Sequence, residues 1–352
     1  MNGSMKPIPA LLPFSWLYGC GIVLRNLFFD LKIFRTERVD VPVISVGNLT
    51  AGGTGKTPVA GLIARSLLER NIVPAIISRG YKRETQGCVV VSDGVSVKAS
   101  AREAGDEAFQ LALQMPKAVV VADEIRARGA RYAVNNLHAQ AIVLDDGFQH
   151  RGLHRDLDIV LIDASRSPFT TPMLPAGYRR EPLNSLKRAD AVLLTKVRAV
   201  TNVDRLKEDV RSYSSAKIFT SSFNVVAFRR AKTKFSVDLS SIRGKHAVAF
   251  CGIGRPESFR ESLEDAGVQV RSLIPFEDHH QYSDADMRRI AREHEKTGAE
   301  YIVTTEKDIA RLSTTDFIER FPLFYLEMET KINERQAWDE MISSACIGKT
   351  ST

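Results

Sequence analysis

Short runs rich in Val and Ile alternate along the chain with longer amphipathic stretches, a pattern that predicts a parallel sheet wrapped by helices. The runs predict strands at 42 to 47, PAIISR (74 to 79), AVVVA (118 to 122), AIVLDD (141 to 146), DIVLID (158 to 163) and AVLLTK (191 to 196). Helices are predicted between them at 56 to 69, 103 to 114 and 124 to 135. From 216 to 240 the pattern becomes alternating and polar-rich, which predicts a two-stranded connector. A second α/β set follows, with strands at 246 to 254, 268 to 276, 301 to 308 and 322 to 329, helices at 256 to 266 and 284 to 296, and a closing helix at 333 to 344. No internal repeat of fixed period is present. The chain is therefore segmented into an N-terminal region (1–40), a core domain (41–215), the connector (216–240), a smaller α/β domain (241–330) and a C-terminal helix and tail (331–352).

The region 1–40 departs from this pattern. Residues 8 to 24 are largely apolar, broken by Pro9 and Pro13, and carry Trp16 and Tyr18 ahead of Arg25, Lys32, Arg35 and Arg38. A spanning helix needs about 20 apolar residues and this stretch is slightly short; it also lacks the small-residue cleavage site of a signal peptide. Aromatics beside an apolar face, followed by bases, suit a helix lying in the headgroup layer of an anionic membrane. The competing expectation is an amphipathic helix packed by its apolar face on its own domain.

Length and composition support a two-domain globular chain, at 352 residues with 44% hydrophobic and 26% charged residues. The formal charge of +7 suits an anionic partner. No dense Lys/Arg tract interleaved with aromatics occurs, which argues against a dedicated nucleic-acid surface. Cys20, Cys88, Cys251 and Cys346 lie far apart without metal-ligand spacing, so they are expected to be reduced and buried, as in a cytosolic protein.

The strongest chemical signal is VISVGNLTAGGTGKTP, a buried strand running into a glycine-rich turn and a helix beginning near Lys56. Glycines let backbone amides approach phosphates as an anion nest, and the helix N-terminus adds partial positive charge. The loop Thr50, Ala51, Gly52, Gly53, Thr54 and Gly55 would cradle the phosphates of ATP. Lys56 would reach the β and γ oxygens and Thr57 would offer its hydroxyl to Mg2+. The usual GxxxxGKS/T pattern would place glycine at Thr50, and the deviant class with a lysine before the glycine pair would place that lysine at Ala51. The fold class is α/β, a P-loop NTPase-type doubly wound, mostly parallel sheet with a second, smaller α/β domain joined by the β connector.

AIVLDDGFQHR places Asp145 and Asp146 at the carboxyl end of an apolar strand, where open parallel sheets bind ligands. Next to a phosphate loop, such carboxylates hold magnesium directly or through water. Transfer to an alcohol also needs a proton acceptor. GDEAF supplies Asp106 and Glu107 at a helix start, and FEDHHQY supplies Asp278, His279 and His280 after a strand in the second domain. In each case a simple capping turn is the bland alternative.

Over nearly its whole length the chain resembles the tetraacyldisaccharide 4'-kinase family, the lipid A 4'-kinases of Gram-negative bacteria. The resemblance is carried by LLPFSWLYG with LRN, ISVGNLTAGGTGKTP, SRGYKR, GDEAF, DDGFQHR, LPAGYRREP, FCGIGRPESF, FEDHHQY and TTEKDIAR, in that order. It implies transfer of the ATP γ-phosphate to the 4'-hydroxyl of a tetraacylated glucosamine disaccharide 1-phosphate, giving lipid IVA at the cytoplasmic leaflet of the inner membrane. It also implies Asp106 as general base, oriented or tuned by His279, and magnesium ligation by Thr57, Asp145 or Asp146, and Glu181. Lipid headgroup contacts are implied for Arg79, Tyr81, Glu107, Arg126, His150 and Arg180, with a solvated helix face as the rival expectation for Arg126. Lys82 and Arg83 follow SRGY where the family pattern has small residues. Because Asp106 and His279 fall in different predicted domains, closure about the connector is expected to assemble them. No obligate protein partner is inferred. The rival class is a deviant P-loop ATPase or GTPase switch, which Ala51 argues against.

Overall fold

The six apolar runs of the core are buried at every residue, as parallel strands covered on both faces must be. The computed structural model describes residues 8–198, 201–233, 235–278, 280–312, 318 and 321–347. The chain divides into two compact units, Met1–Ser222 with Thr330–Thr352, and Phe223–Glu329.

The first unit runs α1 (Leu12–Asp30), β1 (Val43–Asn48), α2 (Lys56–Leu68), β2 (Pro74–Ser78), β3 (Val89–Asp93), α3 (Ala101–Ala104), α4 (Asp106–Gln114), β4 (Val119–Ala122) and α5 (Arg126–Leu137). It continues through β5 (Ala141–Asp145), β6 (Leu157–Asp163), β7 (Ala191–Thr195), α6 (Val203–Arg211) and the start of β8 (Lys217–Arg230). Its sheet order is β8-β7-β6-β1-β5-β2-β4-β3, parallel except for β3 on β4. Ile63 and Leu67 of α2 and Leu111 of α4 pack on one face, with α5 and α6 on the other.

The second unit holds β9 (Ser236–Val237), α7 (Leu239–Ile242), β10 (His246–Cys251), α8 (Pro256–Asp265), β11 (Gln269–Pro275), α9 (Asp284–Thr297), β12 (Tyr301–Thr305), α10 (Glu306–Leu312) and most of β13 (Leu323–Ile332). Strands β11-β10-β12-β13 form a parallel sheet, with Phe259 and Leu263 of α8 on one face and Met287 and Ile290 of α9 on the other. The last helix, α11 (Arg335–Ile347), belongs to the first unit. Its Trp338 is fully buried there and meets Phe219 edge-on at 5.3 Å.

Helix α1 inverts the usual rule for a surface helix. Its polar residues face the protein: the Ser15 hydroxyl donates to the Met173 carbonyl (2.9 Å) and accepts from the Ala176 amide (2.9 Å), and the Tyr18 hydroxyl donates to the Arg180 carbonyl (3.0 Å). Its apolar residues face outward, with Phe14, Trp16, Leu17, Val23 and Leu24 all exposed, Trp16 by 71%. The expectation of an apolar face packed on its own domain therefore fails. The stretch Pro9–Asp30 is long and apolar enough to cross a membrane by length and composition, and little of it is buried.

Several elements differ from the sequence expectation. The helix expected over 103 to 114 breaks at Gly105, whose φ of 87° no helix can continue. Strand β3 was not anticipated, because it is an antiparallel edge strand with a register shift between Val90 and Ser92. The helix expected from 124 starts at Arg126. Within the stretch expected as a two-stranded connector, 217–230 form one continuous strand whose first residues pair in parallel with β7; only Ser236–Val237 return antiparallel. Of the cysteines expected to be buried, Cys251 and Cys346 are, Cys88 is half-buried and Cys20 is exposed.

Candidate active site

Gly47 in β1 lies so close to Phe148 that a Cβ there would come within 2.4 Å of the phenylalanine Cβ, so the strand reaches the loop as a close-packed edge. Thr50, Ala51, Gly52, Gly53, Thr54 and Gly55 then form the turn, with Gly52 and Gly55 at φ 113° and 89°, a region open to glycine. Helix α2 begins at Lys56 with no side-chain cap, leaving its first amides for a ligand.

The loop is gripped from outside. Asn48 Nδ2 donates to Thr54 Oγ1 (2.9 Å), Thr195 Oγ1 to the Thr54 carbonyl (2.9 Å), and Lys196 Nζ to the Gly53 carbonyl (2.6 Å). Lys196 is itself held by Asp163 Oδ2 at 2.6 Å. Along the other edge the segment around Tyr178 runs antiparallel to the loop, the Ala51 amide donating to the Tyr178 carbonyl (2.6 Å) and the Arg180 amide to the Leu49 carbonyl (2.7 Å). The Ala51 amide is turned outward to Tyr178 and the Thr54 amide donates to the Gly52 carbonyl (3.1 Å), so an anion nest here is left to the other loop amides and the uncapped start of α2. Thr195, Lys196 and Asp163 were not singled out from the sequence. The signal was present, since each sits at the carboxyl end of a predicted strand, the same rule that selected Asp145.

Asp145 and Asp146 are adjacent in sequence and chemically distinct. Asp145 is buried; the Thr57 hydroxyl donates to its Oδ2 at 2.9 Å, and its Oδ1 is buried with no partner among the described residues. Burial, followed by the charge of Glu107, pushes its carboxyl up to about 7 against the pull of Lys56. Asp146 adopts φ 58° and turns toward cations, Lys56 Nζ at 3.6 Å and Arg180 Nη1 at 3.0 Å. Burial alone would raise its carboxyl, but Lys56 and Arg180 outweigh that and hold it below the usual carboxylate range.

Arg126, for which a solvated face was the rival expectation, is 2% exposed. Its Nη1 donates to the Asp123 carbonyl (2.9 Å), and burial lowers its guanidinium to about 10 while Asp146 and Asp145 pull the other way. His150 is half-buried and is pushed down to about 4, first by burial and then by Arg126, so its ring is neutral near pH 7. Arg79 and Tyr81 are exposed on the turn after β2. That turn packs backbone to backbone against the start of α4, since a Cβ on Gly105 would lie 2.9 Å from the Tyr81 carbonyl. Asp106 and Glu107 are thereby set beside the Arg79–Tyr81 turn, at the head of α4, both half-buried.

Glu181, for which the resemblance implied a metal role, sits in a buried ion-pair cluster. Its side chain is fully buried and receives Arg25 Nη2 (3.3 Å) on Oε1, and Asn26 Nδ2 (3.2 Å) and Arg188 Nη2 (2.9 Å) on Oε2. These contacts fasten α1 to the segment bordering the phosphate loop. Among the described residues no group of three or more His, Cys, Asp or Glu side chains gathers as a metal cluster. In the second unit Asp278 is exposed on the loop after β11, and His279 lies outside the described residues. His280 stacks on Phe276 at 4.7 Å and pairs its Nε2 with Asp286 at 3.0 Å.

The comparisons with known proteins cover nearly the whole chain. The family model of tetraacyldisaccharide-1-P 4'-kinase matches residues 8–346. The tetraacyldisaccharide 4'-kinase of Syntrophus aciditrophicus is 37% identical, over 96% of this chain and 93% of its own. That of Chlorobium phaeovibrioides is 38% identical, over 98% and 99%. The crystal structure of LpxK from Aquifex aeolicus in complex with ATP superposes with a TM-score of 0.76 at 33% identity, covering 96% of this chain and 98% of that one. A phosphate loop, a strand-end carboxylate bound to its threonine and full-length relatives of one activity converge: the chain belongs to the tetraacyldisaccharide-1-P 4'-kinase family.

Proposed function

We propose that this kinase transfers the γ-phosphoryl group of ATP to the 4'-hydroxyl of a tetraacylated glucosamine disaccharide 1-phosphate, at the cytoplasmic leaflet of the inner membrane. The observation that carries the reading is the mounting of α1. Its apolar side chains point outward, while Tyr18, Arg25 and Asn26 reach Arg180 and Glu181 in the segment that edges the phosphate loop. A helix lying in the headgroup layer is thus tied directly to the phosphate site. A lipid substrate keeps its acyl chains in the membrane and presents only its sugar to the loop.

In the reaction the 4'-oxygen attacks the γ-phosphorus, the bond to the bridging oxygen breaks, and ADP leaves. Asp106 takes the hydroxyl proton. Lys56 and the loop amides hold the transferring phosphates, and Asp146 keeps Lys56 and Arg180 in place between the phosphates and the sugar. Magnesium fits this site on one observation: the buried, unpartnered Oδ1 of Asp145 beside the Thr57 hydroxyl is an oxygen pair of the kind a hard cation takes. When bound, the ion neutralises charge on the β and γ oxygens. Arg79, Tyr81, Glu107, Arg126, His150 and Arg180 are proposed to hold the disaccharide and its phosphate, arginines gripping phosphate through forked hydrogen bonds.

The test is incubation of the full chain with γ-labelled ATP and the disaccharide 1-phosphate in detergent micelles. A labelled bisphosphorylated lipid is expected. Label appearing only as inorganic phosphate would sink the reading.

A further inference from the structure

Arg166 has no role in the account so far, yet it lies against the phosphate loop with donors to spare. It follows β6 on a turn built by Asp163, whose Oδ1 accepts from the Ser165 amide (2.9 Å) and whose carbonyl accepts from the Arg166 amide (2.9 Å). The guanidinium carbon sits 3.7 Å from the centre of the Tyr178 ring. Tyr178 is buried and fixed at two points, its hydroxyl donating to the Ser167 carbonyl (3.1 Å) and its own carbonyl accepting from Ala51 (2.6 Å). The platform under the guanidinium is therefore part of the loop's own support. A Cβ built on Gly52 would stand 3.6 Å from Arg166 Nη1, so nothing but glycine separates the cation from the loop at that point.

Two of the guanidinium nitrogens, Nε and Nη2, are buried and meet no acceptor among the described residues. Buried charged donors left unmade are costly, and stacking on one ring returns only part of that cost. The third, Nη1, is the nitrogen turned toward Gly52, where an anion on the loop would meet it and offset the charge of the whole group. Gly52 lies in the first half of the loop, whereas Gly55 and the helix start grip the β-phosphate, so the phosphate nearest Gly52 is the terminal one. The position before the glycine pair is Ala51, so the loop brings no cation of its own to this edge.

We propose that Arg166 is a catalytic residue of the phosphoryl transfer, donating from Nη1, its nitrogen beside Gly52, to the γ-phosphoryl oxygens and stabilising the charge spread over them during transfer. It acts as an arginine finger supplied by the same chain. The proposal rests on the phosphoryl-transfer reading above and adds to it the source of transition-state charge stabilisation.

The experiment compares Arg166→Ala and Arg166→Lys with the wild-type full chain for kcat, KM for ATP, ADP affinity by calorimetry, and melting temperature. Arg166→Ala is expected to lose kcat on the order of 100-fold or more, with ADP affinity within about threefold and melting unchanged. Added guanidinium ion is expected to restore part of the Arg166→Ala turnover. If the alanine variant does not fold, the lysine variant carries the test, because it keeps the charge but loses the fork and is expected to fall in kcat by at least about tenfold. A folded Arg166→Ala with kcat within about threefold of wild type overturns the proposal. So does an ADP affinity that falls in step with kcat, which would make Arg166 a prop for the loop. A wild type that phosphorylates no lipid would instead overturn the functional reading on which the proposal rests.

Discussion

Thr57 donates its hydroxyl to Oδ2 of Asp145 at 2.9 Å, while Oδ1 of the same carboxylate is buried without a partner among the described residues. Asp146 is committed to Lys56 and Arg180, which leaves Asp145 as the carboxylate able to serve a cation beside Thr57. Asp145→Asn is therefore expected to lower kcat on the order of 100-fold and to raise the magnesium concentration needed for half-maximal turnover. Removing magnesium with chelator should abolish turnover of the wild type. A metal titration of wild type and variant decides the matter, and superimposable curves would move the ion to Asp146.

Glu181 is fully buried between Arg25 and Arg188. Glu181→Gln leaves two guanidinium groups without their counter-charge, and breaking such a network costs about 2 to 3 kcal/mol when its arginines are partly exposed. A lower urea midpoint at unchanged slope is expected. If stability is unchanged and the magnesium requirement rises instead, Glu181 serves the metal, as the family resemblance implied.

What the sequence made legible was local. The strand, glycine turn and helix around Lys56 can be read from one window, and so can Asp145 and Asp146 at a strand end, because the physics that shapes them acts over a few residues. Arg126 could not be read that way. A helix-start arginine looks solvated until the packing that leaves it 2% exposed is known. The ring of partners around Glu181 comes from residues 25, 26 and 188, and no spacing rule joins them. The break at Gly105 was hidden because the hydrophobic period runs through it; only the 2.9 Å approach to the Tyr81 carbonyl explains why the helix restarts at Asp106. The orientation of α1 was open between two packings, since its composition is the same whichever face is buried.

Lys196 holds the Gly53 carbonyl at 2.6 Å while braced by Asp163. A charged hydrogen bond of this kind is worth about 1.5 to 3 kcal/mol, and its loss loosens the Gly53–Thr54 turn that shapes the phosphate loop. Lys196→Ala is expected to raise KM for ATP about tenfold with a smaller effect on kcat. Steady-state kinetics at saturating lipid read this directly. A fall in kcat with KM unchanged would mean that the lysine acts on the reacting phosphate.

Trp16 and Leu17 are 71% and 60% exposed on the outward face of α1, away from the contacts to Arg180 and Glu181. Replacing both with glutamate removes apolar area and adds charge repelled by anionic lipid. The double variant is expected to lose sedimentation with anionic phospholipid vesicles while keeping its turnover in detergent micelles. Vesicle binding equal to wild type would show that this face is not the membrane contact.

His150 gives a pH signature of the buried basic cluster. Burial, with Arg126 adding to it, lowers its imidazole from 6.5 to about 4 in the folded protein. Below pH 6.5 the unfolded chain takes up a proton that the folded chain refuses until about pH 4, so stability falls as the pH drops through that window. Above it the ring is neutral in both states and contributes no slope. His150→Gln removes the titrating group and is expected to flatten the pH dependence of stability between those limits by about one proton. Urea unfolding at pH 7 and at pH 5 measures the difference. A variant whose stability declines as steeply as that of the wild type would mean that the imidazole is charged in the folded state.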